Sequence, residues 1–302
     1  MSTPPGPATG PEQAAQQPAC VRHPDRPTGL RCVRCERPAC PDCLQEASVG
    51  YQCVDCVAQG RSRGREAVTV AGARLASRPI VVPVLIALNV AAFVATAVQA
   101  KSIQNNIDSQ LFDTFAMWPV GVAGGEWVRL ISSGFLHFGP IHLLMNMIAL
   151  WVIGRDLELV LGRLRFTAVY LLSLLGGSVA VFLFGDLGSP VAGASGAVYG
   201  LMGGIALAAL RLKVSLRPVL VVIALNIVLS VTIPGISLLG HLGGLVLGGA
   251  STAALVYAPR NRRVLLQSAA LGALLLVLIA LLITRDLQFG PVSCFNGRCF
   301  GA

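Results

Sequence analysis

The sequence predicts an all-α polytopic membrane protein with a small metal-binding module near its N-terminus, and three observations predict it. Of 302 residues, 54% are hydrophobic and only 12% charged, with a mean hydropathy of +0.71, far from the balance of a soluble domain. Seven apolar segments, at about 79–99, 141–154, 164–185, 195–211, 217–234, 239–258 and 264–284, can cross or deeply enter a hydrocarbon core about 30 Å thick. Before the first of them stand Cys20 and His23, Cys32 and Cys35, Cys40 and Cys43, and Cys53 and Cys56, each pair at metal-ligand spacing.

Residues 1–19, rich in Pro and Gln, cannot bury a core and read as a disordered tail. With no hydrophobic segment near Met1, no cleavable signal peptide is expected. The paired ligands of residues 20–57 supply the number that closes two tetrahedral zinc sites. A disulfide framework is the alternative, and a cytoplasmic location disfavours it. Residues 58–78 form a basic linker. The net charge of +9 raises the question of nucleic acid, but much of it adjoins the first span, where anchoring to membrane lipid accounts for it; no nucleic-acid partner is expected.

The basic residues alternate between loops. Arg61, Arg63, Arg65, Arg74 and Arg78 precede the first span, Arg155, Arg163 and Arg165 follow the second, Arg211, Lys213 and Arg217 the fourth, and Arg260, Arg262 and Arg263 the sixth. These loops are cytoplasmic by the positive-inside rule, so the N-terminus is expected inside and the C-terminus outside. The second, fourth and sixth spans then run inward, and each has polar residues near its outer end: His142 and Asn146, Ser195 and Tyr199, and His241. An i, i+4 spacing puts each pair on one helical face. Taken singly, a serine usually bonds back to its own helix and a histidine bridges neighbours; together at one depth they can converge on a site.

The fourth span repeats small residues at Gly196, Gly200 and Gly204, and the sixth at Gly240, Gly244 and Gly248. Such faces let helices pack backbone to backbone in lipid, bringing Ser195 toward His241 as an activated nucleophile and its base. All fourteen acids fall outside the expected spans, so a Ser-His dyad fits better than a triad. Tyr199 is the candidate to pack on the histidine, and His142 and Asn146 are candidate donors to an oxyanion.

Five segments resemble motifs of the rhomboid family of intramembrane serine proteases in the family's order: GEWVRL at 125–130, HFGPIHLLMN at 137–146, GRDLELVLG at 154–162, GASG at 193–196 and HLGGLVLGG from His241. The resemblance covers roughly residues 79–260. It implies a six-helix rhomboid-like bundle plus a seventh C-terminal span, and a Ser195 nucleophile with His241 as base. It further implies an oxyanion site from the Ser195 amide, His142 and Asn146, structural roles for His137, Arg129 and Glu158, and a first loop between Phe112 and Leu136 lying partly in the outer leaflet. Its substrates would be single-span membrane proteins. The N-terminal spacing resembles a B-box-type zinc finger, which implies interleaved ligation: Cys20, His23, Cys40 and Cys43 at one ion, Cys32, Cys35, Cys53 and Cys56 at the other, with an unidentified cytoplasmic protein partner.

The expected organisation is therefore a tail at 1–19, a zinc module at 20–57, a linker at 58–78, a protease core at 79–260, and a seventh span with external tail at 261–302. Cys294 and Cys299, flanking an Asn-Gly turn in that tail, could close a short disulfide in an oxidising exterior, a pairing the sequence leaves open. The expected function is serine endopeptidase activity at the plasma membrane, with a non-enzymatic adaptor that captures transmembrane segments as the alternative.

Overall fold

The computed structural model describes residues 17–63, 67–233, 235–289, 293–295 and 298–300, with side chains left undescribed at 61–63 and in the last two segments. The expected tail falls outside the described residues as far as residue 16. The chain divides into two compact units, one up to residue 66 and one from residue 67.

The first unit has two antiparallel hairpins, β1 Ala19–Cys20 with β2 His23–Pro27 and β3 Leu44–Glu46 with β4 Tyr51–Cys53, followed by helix α1 Val54–Arg63. Its buried cluster is Cys20, Cys32, Ala39, Cys40, Cys43, Cys53 and Cys56. Natural domains of this size with so small an apolar core commonly add cross-links or a metal.

The second unit is helical: α2 Val81–Ala100, α3 Gln110–Phe115, α4 Pro119–Ala123, α5 Arg129–Ser132, α6 Gly139–Ala149, α7 Arg155–Leu161, α8 Arg163–Phe184, α9 Ser195–Leu212, α10 Arg217–Thr232, α11 Leu238–Val256 and α12 Arg263–Phe289. A C-terminal hairpin of β5 Ser293–Phe295 and β6 Arg298–Phe300 pairs the backbone of Cys294 with that of Cys299; the side chains that a disulfide would join lie outside those described. Among the described residues, five helical segments are long and apolar enough to cross a membrane, and six if Arg129–Phe135 and Gly139–Leu161, meeting at 92°, count as one span.

Two expected spans differ in extent. The second runs beyond 154 to Leu161 through a π-helical turn at Leu150–Gly154, stopping where Gly162 takes φ +79°; Glu158 therefore lies on this helix. The fifth is α10, with 16 residues, about 24 Å at 1.5 Å per residue and short of a full crossing. Pro218 stands at its start, and Ile233 at its end is already extended, as expected of a residue before proline.

Three helices form the centre. A Cβ added at Gly244 or Gly248 of α11 would fall on the carbonyl of Gly196 or Gly200 of α9, and one added at Gly243 would fall on the carbonyl of Gly176 in α8. Backbones approach this closely only where side chains are absent. The apolar window of α8 is 67% buried within the protein and that of the Arg260–Phe289 segment 17%, so α8 is central and α12 peripheral. Glu158 fixes α2: its Oε1 accepts the Ile80 and Val81 N–H groups at 2.7 and 3.0 Å and its Oε2 the Val82 N–H at 2.9 Å. A carboxylate there satisfies orphan donors and complements the helix dipole. Arg129 secures the first loop, pairing with Glu126 at 2.6 Å and donating to the Asp113 and Ala116 carbonyls at 2.6 and 2.8 Å.

Candidate active site and metal centres

Ser195 opens α9, so its backbone N–H is among those a helix leaves unsatisfied, at the positive end of the dipole. The loop that delivers it is pinned at several points. Met117 and Val191 exchange two backbone hydrogen bonds, at 3.0 and 2.9 Å, and the Gly193 N–H donates to the Ser133 carbonyl at 2.9 Å. Gly193 takes φ +133° and lies against the His142 ring, where a Cβ would meet Cε1 at 2.8 Å and Nε2 at 3.0 Å. Glycine is required there on both counts.

His142 has a defined tautomer. Its Nδ1 accepts the Phe138 backbone N–H at 3.3 Å, and since an amide only donates, the proton of the neutral ring sits on Nε2. That Nε2–H lies beside Gly193, two residues ahead of Ser195. Asn146, one turn on, donates from Nδ2 to the His142 carbonyl at 2.9 Å, leaving its second amide hydrogen for other work. His137 is fully buried and serves the loop: its Nε2 accepts the Ala194 N–H at 3.5 Å, and its carbonyl accepts from Asn106 Nδ2 at 2.9 Å. Asn106 also takes the Gly139 N–H that starts α6, at 3.0 Å.

His241 lies in the first turn of α11, which is capped by Ser237 Oγ accepting the Gly240 N–H at 3.2 Å. The Tyr199 ring stacks on it, centroids 3.9 Å apart and planes within 13°. Its Nδ1 is 2.7 Å from Ser230 Oγ. Ser195 and His241 line one cleft with Ser133, Gly193 and Gly240. No hydrogen bond to the Ser195 hydroxyl is formed among the described residues; catalytic hydrogen bonds are often loose until substrate tightens them. Sequence reasoning missed Ser230, Asn106 and Ser237. Ser237 alone carried a legible signal, a serine just ahead of a helical apolar run.

Residues 124–260 match the Rhomboid domain. That stretch contains Arg129, His137, His142, Asn146, Ser195, Tyr199, Ser230 and His241. The chain is similar to Rhomboid protease GluP of Bacillus subtilis, 39% identical over 139 residues that cover 44% of this chain and 27% of that protein. It is 39% identical to RHOMBOID-like protein 4 of Arabidopsis thaliana over 136 residues, 42% of this chain and 34% of that protein. With Rhomboid-type serine protease 2 of Emericella nidulans it shares 32% identity over 133 residues, 42% and 26% of the two chains. The chain thus spans about a quarter to a third of the length of these rhomboid relatives.

The first unit gathers two tetrads, Cys20 with His23, Cys40 and Cys43, and Cys32 with Cys35, Cys53 and Cys56; within each, the ligand atoms all lie within 4.8 Å of one another. His23 Nδ1 is 3.3 Å from Cys40 Sγ and 3.4 Å from Cys43 Sγ, and Cys35 and Cys53 sulfurs are 3.8 Å apart. Zn–S bonds of about 2.3 Å arranged tetrahedrally put sulfurs roughly 3.8 Å apart, so the donor sets fit that ion. Backbone amides of Cys53 and Arg34 donate to Cys32 Sγ at 3.2 and 3.4 Å, a setting for thiolate. The thiols are unequal. The backbone of Cys40 helps hold Cys20 down to about 6, burial pushes Cys43 up to about 11, and the hydrogen bond with Cys35 pushes Cys56 up to about 12. Crowded sulfurs share protons unless a cation offsets their charge. Both tetrads can bind metal ions.

Proposed function

We propose that the chain is an intramembrane serine endopeptidase that hydrolyses peptide bonds in or beside transmembrane segments of single-span membrane proteins. The observation that carries this reading is the cleft shared by Ser195 and a ring-stacked His241, beside a His142 whose Nε2–H faces the Gly193 loop. Its setting within a Rhomboid-domain match and the rhomboid protease homologues support it further.

In this mechanism the Ser195 hydroxyl attacks the scissile carbonyl while His241 Nε2 takes its proton, then returns it to the departing amine. The oxyanion is met by the Ser195 N–H at the α9 terminus, by His142 Nε2–H and by Asn146 Nδ2. Water releases the acyl group by the same route in reverse. Residues 79–260 make up the protease core, and 20–57 a module holding two structural zinc ions and recruiting a cytoplasmic protein. The basic loops orient the chain with its N-terminus inside and its C-terminus outside a plasma membrane. Zinc would cross-link the first unit and takes no part in peptide hydrolysis.

A fluorophosphonate probe applied to the detergent-solubilised chain tests the reading. The expected result is a covalent adduct that maps to Ser195 and disappears in His241→Ala. A folded protein that takes up no probe would turn the reading toward an adaptor that captures transmembrane segments without cutting them.

A further inference from the structure

Ser230 is the one residue of α10 that is buried among those described, and three polar groups meet at its hydroxyl. The Asn226 carbonyl lies 2.8 Å from Oγ, the Tyr199 hydroxyl 2.8 Å and His241 Nδ1 2.7 Å. A serine hydroxyl has one proton to give and two lone pairs to receive with. The Asn226 carbonyl can only accept, so it takes the proton. Both remaining contacts are hydrogen bonds only if the Tyr199 O–H and the His241 Nδ1–H donate to Oγ. This assignment satisfies all three distances and leaves no donor or acceptor of the group unused.

We propose that Ser230 is a positioning residue for the reaction: by accepting from Nδ1 it holds the neutral His241 ring in the tautomer whose Nε2 is bare and able to take the Ser195 proton. The inference rests on the protease reading above. Ser230 fills the place that a carboxylate holds in a triad, without its charge. The Nδ1–H···Oγ bond persists when the ring becomes an imidazolium, and it strengthens then because the donor is charged. Tyr199 acts twice, through its ring on the imidazole face and through its hydroxyl on Ser230, so two side chains from different helices fix the ring plane and its rotation. Because Ser230 belongs to α10 and His241 to α11, the base is set correctly only while those helices keep this contact.

The chain has four histidines, so selective 15N-histidine labelling of the full chain in detergent resolves each ring. In wild type, His241 is expected to show a protonated Nδ1 and a bare Nε2. Ser230→Ala should shift this signal toward a mixture of tautomers and lower both kcat and the rate of fluorophosphonate labelling on the order of 10- to 100-fold, by analogy with removing the outer hydrogen-bond partner of a metal-ligating histidine. KM should stay unchanged, since Ser230 does not touch substrate. Ser230→Thr, which keeps the oxygen, should retain the wild-type spectrum and most of the rate, separating a positioning role from mere packing. A Ser230→Ala protein with the wild-type His241 spectrum and a labelling rate within about twofold of wild type, by the same scale, overturns the proposal. A wild-type chain that shows the expected tautomer but takes no probe overturns the protease reading and leaves the assignment standing; one that takes the probe with the proton on His241 Nε2 does the reverse.

Discussion

At the scale of single residues, the proposed assignment gives His142 and His241 opposite states of the same atom. His142 Nε2 bears a proton because its Nδ1 accepts from a backbone amide, whereas His241 has its Nδ1 against the Ser230 hydroxyl. One ring is thus set to donate and the other to accept, as acyl transfer requires of an oxyanion donor and a base. Asn146→Ala is expected to lower kcat by at most about 100- to 1,000-fold, the usual loss of one oxyanion donor, and by less where His142 compensates; steady-state kinetics on a transmembrane substrate read it. His137→Ala is expected to act through stability, because it orphans the buried Ala194 N–H next to Ser195, at a cost of about 1–3 kcal/mol. Thermal unfolding of the purified variant measures this, and a Tm equal to wild type would contradict it. Ser195, Tyr199, His142 and His241 were legible because their spacing and common depth set them apart. Ser230 was not, since a serine inside a span ordinarily bonds back to its own helix. It does so here too, to Asn226, while also serving two side chains from other helices.

Among the elements, glycine decides how near α9 and α11 come. Gly244→Ala would drive a Cβ onto the Gly196 carbonyl, backbone against backbone, whereas Gly272→Ala on α12 meets nothing within 4 Å. The first is expected to separate the helices that bear Ser195 and His241, lowering Tm and removing probe labelling together. The second is expected to leave both at wild-type values, or to raise Tm slightly through helix propensity. Equal behaviour of the two variants, read by thermal unfolding and labelling, would refute the packing account. These faces were readable because small residues recur every fourth position. The part played by α8 went unread, although Ser173 and Gly177, and Gly176 and Ala180, keep the same four-residue step. The limits of α10 escaped too: hydropathy runs on to 234, but the proline there pushes Ile233 out of the helix. The extension of the second span to Leu161 was hidden by Arg155, Asp156 and Glu158, which read as a loop until Glu158 is seen capping α2.

For the whole molecule, the two compact units divide the chemistry. The first encloses two four-ligand clusters, and metal analysis of the purified chain is expected to find about two zinc ions per molecule. A strong chelator is expected to unfold that unit, because ligand binding and folding are coupled there, while leaving the second unit able to take up a fluorophosphonate at Ser195. Loss of labelling on chelation would mean that the units depend on one another in catalysis. Cysteine spacing made the pairs legible, and the interleaved grouping came from family resemblance, since spacing alone permits other pairings. Every part of the proposed reaction depends on Ser195 as the nucleophile of a membrane-embedded protease. The most direct measurement is cleavage of a single-span substrate reconstituted in liposomes with wild-type protein or with Ser195→Ala. Wild type is expected to cut in or beside the transmembrane segment and the variant not at all, with both proteins equally folded and inserted; cleavage by Ser195→Ala at the wild-type rate would rule Ser195 out as the nucleophile.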